Sequence, residues 1–334
     1  MKPIFFLSLI VLPLLGLSQK KDTVLRYLDA KLELTTQKEA VYLGVSVKQN
    51  DHWYLLVLYA DTTPVLKAWY KDKNLTIKDG PYTVFYPGNR LAQKSYYKEG
   101  LLNGGFMTWY ENGQRKDSGE LRNNQMIGIW NKWFDNGQQM IQAVYTAASL
   151  PPAVNDINGM VASAYTGIKD GYYTSWYRNG NREATGRFKQ DQMEGEWLWF
   201  YENTQPSTQE LYEGGKVVKL QCFDSTGKET GDYCSLSRPA VLKYYGDYKE
   251  FIFQNLQWPE EALKNNIEGT VNVKFKIDRL GQLQNLQLEG GHEILKKSVR
   301  ELFDAMKEWY PAISHNRLME SEEEITIPFY RHKE

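Results

Sequence analysis

Side chains able to do chemistry are few in this chain, and they do not converge. The four histidines, His52, His292, His315 and His332, are scattered. No Gly-x-Ser-x-Gly, phosphate-binding loop or Gly-x-Gly-x-x-Gly sequence accompanies them. Glu320, Glu322, Glu323 and Glu324 are oxygen donors of the type that hold a hard cation. Placed just ahead of an apolar strand pattern, they read instead as a solvated acidic turn. Trp197 and Trp199 have faces on which sugars stack, but at alternating strand positions they read as packing. The expectation is a protein that is not an enzyme, with no cofactor and no metal site.

Two chemistries remain. The only cysteines, Cys222 and Cys234, flank the turn-rich DSTGKETGD stretch. A hairpin would bring them together as a disulfide in an oxidising compartment; otherwise they are two small apolar residues that never meet. The second is recognition through the backbone. Ile325 to Tyr330 reads as a strand, and Pro328 cannot donate to a ladder, which places it at a sheet edge. An edge can accept a partner strand, with Ile325, Thr326, Ile327, Phe329 and Tyr330 as candidate partner-binding residues. The competing reading pairs this strand internally and makes its apolar residues core.

The elements that position these groups fall into two patterns. Five segments repeat one motif, beginning at Gly80 (GPYTVFYPGN), Gly104 (GGFMTWYENG), Gly128 (GIWNKWFDNG), Gly171 (GYYTSWYRNG) and Gly195 (GEWLWFYENT). Three of the spacings are 24 residues and the fourth is 43, a period that marks a repeat architecture. Phe106, Thr108 and Tyr110 alternate with Met107 and Trp109, the two-residue period of a strand. Asn112-Gly113 then predicts a two-residue type I′ turn with positive φ at both positions. Each unit is expected to be a hairpin in a β-meander over 80–235, with strands in 19–79 capping it. Residues 149–163 (SLPPAVNDINGMVAS) break the pattern, either as a tolerated insertion or as a loop on a binding face.

After residue 240 the pattern changes. Trp258-Pro259-Glu260-Glu261-Ala262-Leu263-Lys264 suits a short helix with Pro in its first turn. Gly269 to Ile277 alternates strictly, Asp278 to Gly281 turns the chain, and Leu283, Leu286 and Leu288 continue a second strand. A helix from about His292 to Glu308 gathers Ile294, Leu295, Val299, Leu302, Phe303 and Met306 on one face. The strand Glu324 to Tyr330 completes a ββαβ unit. The fold class expected is mainly β plus α+β.

At the N-terminus, Lys2 precedes a short apolar run broken by Pro13, and Gly16-Leu17-Ser18 offers small residues for cleavage. Residues 1–18 are therefore read as a signal peptide; the alternative is an uncleaved inner-membrane anchor, the one route to membrane contact. Lys plus Arg (40) and Asp plus Glu (41) nearly cancel, so no basic field exists for a nucleic-acid partner.

The Gly-x-Trp-x-x-Trp-[Tyr/Phe]-x-Asn-Gly core, standing here as Gly128, Trp130, Trp133, Phe134, Asn136 and Gly137, resembles MORN repeats in the bacterial YwqK-type antitoxin variant. That resemblance implies protein or lipid interaction. Residues 245–331 resemble the C-terminal domain of TonB, through WPEEALK at 258–264, EGTVNVKFKI at 268–277, the D-x-x-G turn at 278–281, WYPA at 309–312 and ITIPF at 325–329. The combination is similar to the energy-transducer TonB proteins of Bacteroidota-like bacteria. It implies a periplasmic protein that captures an extended segment of an outer-membrane TonB-dependent transporter or another envelope partner. The departure is the absence of a Pro-rich spacer, with 12 Pro in the whole chain. The alternative is an envelope scaffold or antitoxin-like binder driven by the repeats, its TonB-like domain only a docking module.

Overall fold

The computed structural model describes residues 23–148, 166–231 and 234–331. The signal peptide, the 149–163 insertion and His332 lie outside them.

The chain first forms a single antiparallel sheet whose strands follow one another in sequence order. They are β1 (Thr23–Leu28), β2 (Tyr42–Gln49), β3 (His52–Leu58), β4 (Pro64–Tyr70), β5 (Lys78–Tyr86), β6 (Arg90–Lys98), the short β7 (Leu101–Leu102), which pairs with β6 off the main path, and β8 (Gly104–Trp109). The series continues with β9 (Arg115–Arg122), β10 (Gln125–Trp133), β11 (Gln139–Thr146), β12 (Ile168–Trp176), β13 (Arg182–Lys189), β14 (Gln192–Phe200), β15 (Pro206–Glu213) and β16 (Lys216–Cys222). One compact unit runs up to Thr204 and takes in Glu210–Lys219; a second comprises Gln205–Gln209 and the chain from Leu220.

The Asn-Gly turn of the repeat is not type I′, whereas Asn123-Asn124 and Gln190-Asp191, the two-residue turns that close the units, do have positive φ at both positions. Gly113 N–H donates to Tyr110 O (2.9 Å) and Tyr110 N–H to Gln114 O (2.8 Å). Gly113 has φ of 87°, whereas Asn112 is absent from the positive-φ residues. The pairing slips by one residue between Thr108 and Trp109. This is a β-turn followed by one left-handed residue and a bulge, the three-residue hairpin solution. Asn112 is instead an Asx-type acceptor for Gln114 N–H (3.0 Å), and its amide reaches across to the next turn at Asp135 O (2.6 Å). Asn136 repeats both contacts, to Gln138 N–H and to Arg178 O.

A second ladder runs beside the first. The phenol of Tyr86 donates to Trp109 O, that of Tyr110 to Trp133 O, and that of Tyr177 to Phe200 O. The same turn recurs where the motif does not. Tyr59 N–H bonds Thr63 O, Thr62 at φ 68° takes the glycine's place, Asp61 replaces the asparagine, and Tyr59 OH donates to Phe85 O. The lead-in is thus sheet of the same construction.

The buried row of this sheet includes Tyr82, Phe106, Trp130 and Trp197. Trp130 and Trp197 lie flat on glycines of the preceding strand: a Cβ on Gly119 would meet the Trp130 ring at 2.2 Å, and one on Gly186 the Trp197 ring at 2.1 Å. Each indole N–H then reaches a carbonyl of that strand, Glu120 O at 3.2 Å and Arg187 O at 3.1 Å. These two indole nitrogens are thereby satisfied.

The second unit contains α1 (Tyr248–Asn255), α2 (Glu260–Lys264), β19 (Gly269–Ile277), β20 (Leu283–Glu289), α3 (Glu293–Ala305) and β24 (Ser321–Phe329). Five short strands, β17 (Ser237–Arg238), β18 (Val241–Leu242), β21 (Trp309–Tyr310), β22 (Ala312–Ser314) and β23 (Arg317–Met319), form two small ladders, β17-β22-β23 and β18-β21. The main sheet has the order β20-β19-β24. The amphipathic α3 buries Leu295, Val299, Leu302 and Phe303, with His292 as its N-cap. The core centres on Phe275, whose ring lies 5.1–5.7 Å from those of Phe303, Tyr248 and Trp309. Pro259 is the N-cap of α2 rather than a residue of its first turn.

Candidate functional site

The site that sequence points to is the last strand. β24 pairs with β19 over nine residues without a register shift, from Gly269↔Phe329 to Ile277↔Ser321. Among the described residues no strand lies on its other side. Its backbone polar groups on that side therefore form a ready template for a further strand. The opposite outer strand, β20, is built differently. Its pairing with β19 slips between Lys274 and Lys276, and Asn285 stands at φ 54°. A bulge of this kind twists an edge and interrupts its template. The regular edge is β24.

The strict alternation of β24 divides the five candidate side chains. Ile327 and Phe329 are 2% exposed and belong to the core, with Ile325 packed against it. Trp258, from the WPEEALK stretch, meets the Phe329 ring edge-on at 5.9 Å. Thr326 and Tyr330 are exposed, and they bond inward to the neighbouring strand: Thr326 Oγ1 to Asn272 Oδ1 (2.9 Å), and Tyr330 OH with Thr270 Oγ1 (3.0 Å). Only these two of the five offer side chains to a partner; the other three hold the strand in place.

The acidic run is not a turn. Glu322, Glu323 and Glu324 are strand residues of β24, which begins at Ser321 rather than Glu324. Lys276 stands directly across from Glu322 and Lys274 from Glu324, and opposite charges at paired positions offset the low strand propensity of glutamate. Lys276 lies 2.6 Å from Glu322, and the two hold each other charged, lowering the carboxyl and raising the ammonium. Glu323 points inward and accepts from Tyr248 OH (3.2 Å); burial, then this carboxylate, pushes the phenol well above its usual range.

Cys222 and Cys234 are disulfide-bonded, with Cα atoms 5.5 Å apart. Between them the Asp224 to Lys228 turn repeats the hairpin geometry. The segment is tied to the β22–β23 turn, where Asn316 donates to Phe223 O (3.0 Å) and to Ser235 O (2.9 Å). Among the described residues, no cluster of His, Cys, Asp and Glu has the form of a metal site, and no helix is long and apolar enough to cross a membrane.

An α+β domain whose regular outer strand is open on one side has the geometry by which interaction modules accept an added strand. Residues 254–330 match the family described as Gram-negative bacterial TonB protein C-terminal. Comparison of the chain with curated proteins finds no match. The matched span runs from within α1 to one residue past β24, so it contains the sheet, α2, α3 and the open edge.

Proposed function

We propose that this protein is a non-enzymatic adaptor of the cell envelope. Its C-terminal domain captures an extended segment of a partner by strand addition to β24, and an outer-membrane TonB-dependent transporter is the candidate partner. The observation that carries this reading is the nine-residue, shift-free outer strand inside the segment that matches the TonB C-terminal family. Backbone pairing along such an edge supplies affinity, and the alternate exposed side chains supply preference. The hairpin sheet, with its MORN-like repeats, is the platform that carries the domain. Residues 1–18 export the chain to the periplasm, or anchor it in the inner membrane if they are retained.

A second reading has its own observation. Met107, Ile129 and Tyr172, on three different strands of the repeat sheet, are 42%, 58% and 76% exposed. A repeat-driven scaffold would bind through them, leaving the TonB-like domain as a docking module.

Photo-crosslinking separates the two. A photoreactive residue at Thr326 or Tyr330 of the full chain should trap an outer-membrane transporter in envelope preparations, and one at Ile129 or Tyr172 should not. Crosslinks arising only from the repeat positions would refute the strand-addition reading and favour the scaffold.

A further inference from the structure

The outer edge of β24 is divided along its length by charge. Glu322 and Glu324 project from its solvent face, their side chains 74% and 63% exposed. Lys276 reaches Glu322 (2.6 Å) and Glu320 (3.1 Å), and Lys274 reaches Glu324 (3.6 Å). Both lysines approach from β19, the inner side. Three carboxylates thus share two ammonium groups, and among the described residues the ion pairs of Glu322 and Glu324 all come from β19. The solvent face of the other half carries no charge as far as Tyr330: Thr326 is bonded inward, Pro328 has no N–H, and Tyr330, one residue past β24, presents 57% of its surface.

A strand laid against this edge places alternate side chains directly opposite Glu322, Glu324, Thr326 and Pro328, with Cβ atoms about 4.5–5.5 Å away. The backbones of Lys274 and Lys276 would then lie two strands from the newcomer, about 9–10 Å off, with their ammonium groups reaching the carboxylates from the β19 side. The nearest charges to the newcomer are the two glutamates. Resting on the strand-addition reading above, we propose that this edge selects an extended segment bearing Lys or Arg at two alternating positions, seated opposite Glu322 and Glu324, with uncharged residues toward Tyr330. An antiparallel segment carries the basic pair at its C-terminal end, a parallel one at its N-terminal end. The β20 edge offers no equivalent, since its bulge interrupts the alternation and its exposed positions are mainly Gln284, Gln287 and Glu289.

The test uses the full chain and three ten-residue peptides of alternating Thr and Val. They differ only at two alternating positions, occupied by Lys, Gln or Glu. Hydrogen exchange over Ser321–Phe329 locates binding, and titration at low and physiological salt measures it. The Lys peptide should bind about five- to tenfold more tightly than the Gln peptide at low salt, with the Glu peptide weakest and the gap closing as salt rises. The double variant Glu322→Gln/Glu324→Gln, checked by its thermal melt, should bind the Lys and Gln peptides alike. Equal protection of β24 by the Lys and Gln peptides on the parent protein overturns charge selection and leaves strand addition standing. No protection of β24 by any peptide overturns strand addition, and the selection with it.

Discussion

Replacing Gly119 by alanine adds one methyl group to the repeat sheet, in one of the two positions with least room for it. The new Cβ would lie 2.2 Å from the Trp130 ring, so ring and strand must separate by more than 1 Å to reach about 3.5 Å, ordinary contact for carbon. The ring has no easy retreat. Trp130 is 2% exposed, its indole N–H is bonded to Glu120 O, and Phe106 packs on it with centroids 5.8 Å apart. Overpacking a core in this way costs about 1–3 kcal/mol. Gly119 is absent from the positive-φ residues, so alanine is allowed there by backbone conformation, and restricting the unfolded chain returns about 0.4–1 kcal/mol. The steric term wins, with a net loss of about 1–2 kcal/mol, or about 2–8 °C in the melting temperature of a unit this size.

Thermal melts of the full chain followed by circular dichroism measure this. Two controls isolate the cause. Gly128 lies at φ 67° with nothing within 4 Å of a built Cβ, so Gly128→Asn, a residue that tolerates the left-handed region, should lower the melt less than Gly119→Asn. Gly119→Ala combined with Trp130→Leu should lose less than the sum of the two single changes, because the smaller side chain makes room for the methyl. A Gly119→Ala protein that melts at or above the parent temperature, or strictly additive losses in the double variant, would refute the account of tryptophan lying on glycine.

The remaining predictions concern the disulfide and the acid limb of stability. Replacing Cys222 and Cys234 by serine, or reducing them, opens a loop with a separation of 12 residues and should lower stability by about 2–3 kcal/mol; identical melts with and without reductant would show that the bridge does nothing. Asp224 and Asp278 are held below their ordinary value, Asp224 first by the Thr226 hydroxyl and Asp278 first by Gln282 N–H. Their folded values are depressed, so the stability they add is complete above the unfolded value and is lost as pH falls through the folded values. Asp224→Asn and Asp278→Asn should therefore flatten the fall in stability below about pH 4, measured by denaturation at stepped pH, and an unchanged slope would count against these turn bonds.

Much of the architecture was legible because it rests on period. The two-residue alternation of Gly269 to Ile277 and the helical spacing of Leu295, Val299, Leu302 and Phe303 are the patterns that burial imposes, and both elements form where the alternation places them. Turn type was less legible. Asn-Gly serves a type I′ turn and a left-handed bulge equally well, and the choice depends on which register lets Asn112 reach Asp135 in the next turn. At Tyr59 the strands themselves were legible, but the likeness of their turn to the repeat turn was not, because Thr62 does the work of a glycine there. The floor under the tryptophans had a signal that motif reading passes over: Gly119 precedes Trp130, and Gly186 precedes Trp197, by the same 11 residues. Cross-strand packing sets that spacing, and a single strand's alternation does not contain it.

The acidic run shows why the open edge was harder to read than the fold. Four glutamates in five residues argue against a strand as long as the segment is considered alone. The argument reverses once Lys274 and Lys276 stand across from Glu324 and Glu322, because the charges then tie strand to strand on the solvent face while Glu323, Ile325, Ile327 and Phe329 turn inward. Charge on an outer strand is also how sheets discourage indiscriminate edge pairing. At β24 the same glutamates have a double consequence. On the selection proposed above, they disfavour an acidic strand by repulsion and an apolar one by desolvation, and they leave a basic one favoured, so an edge guarded against aggregation is at the same time an edge with a preference.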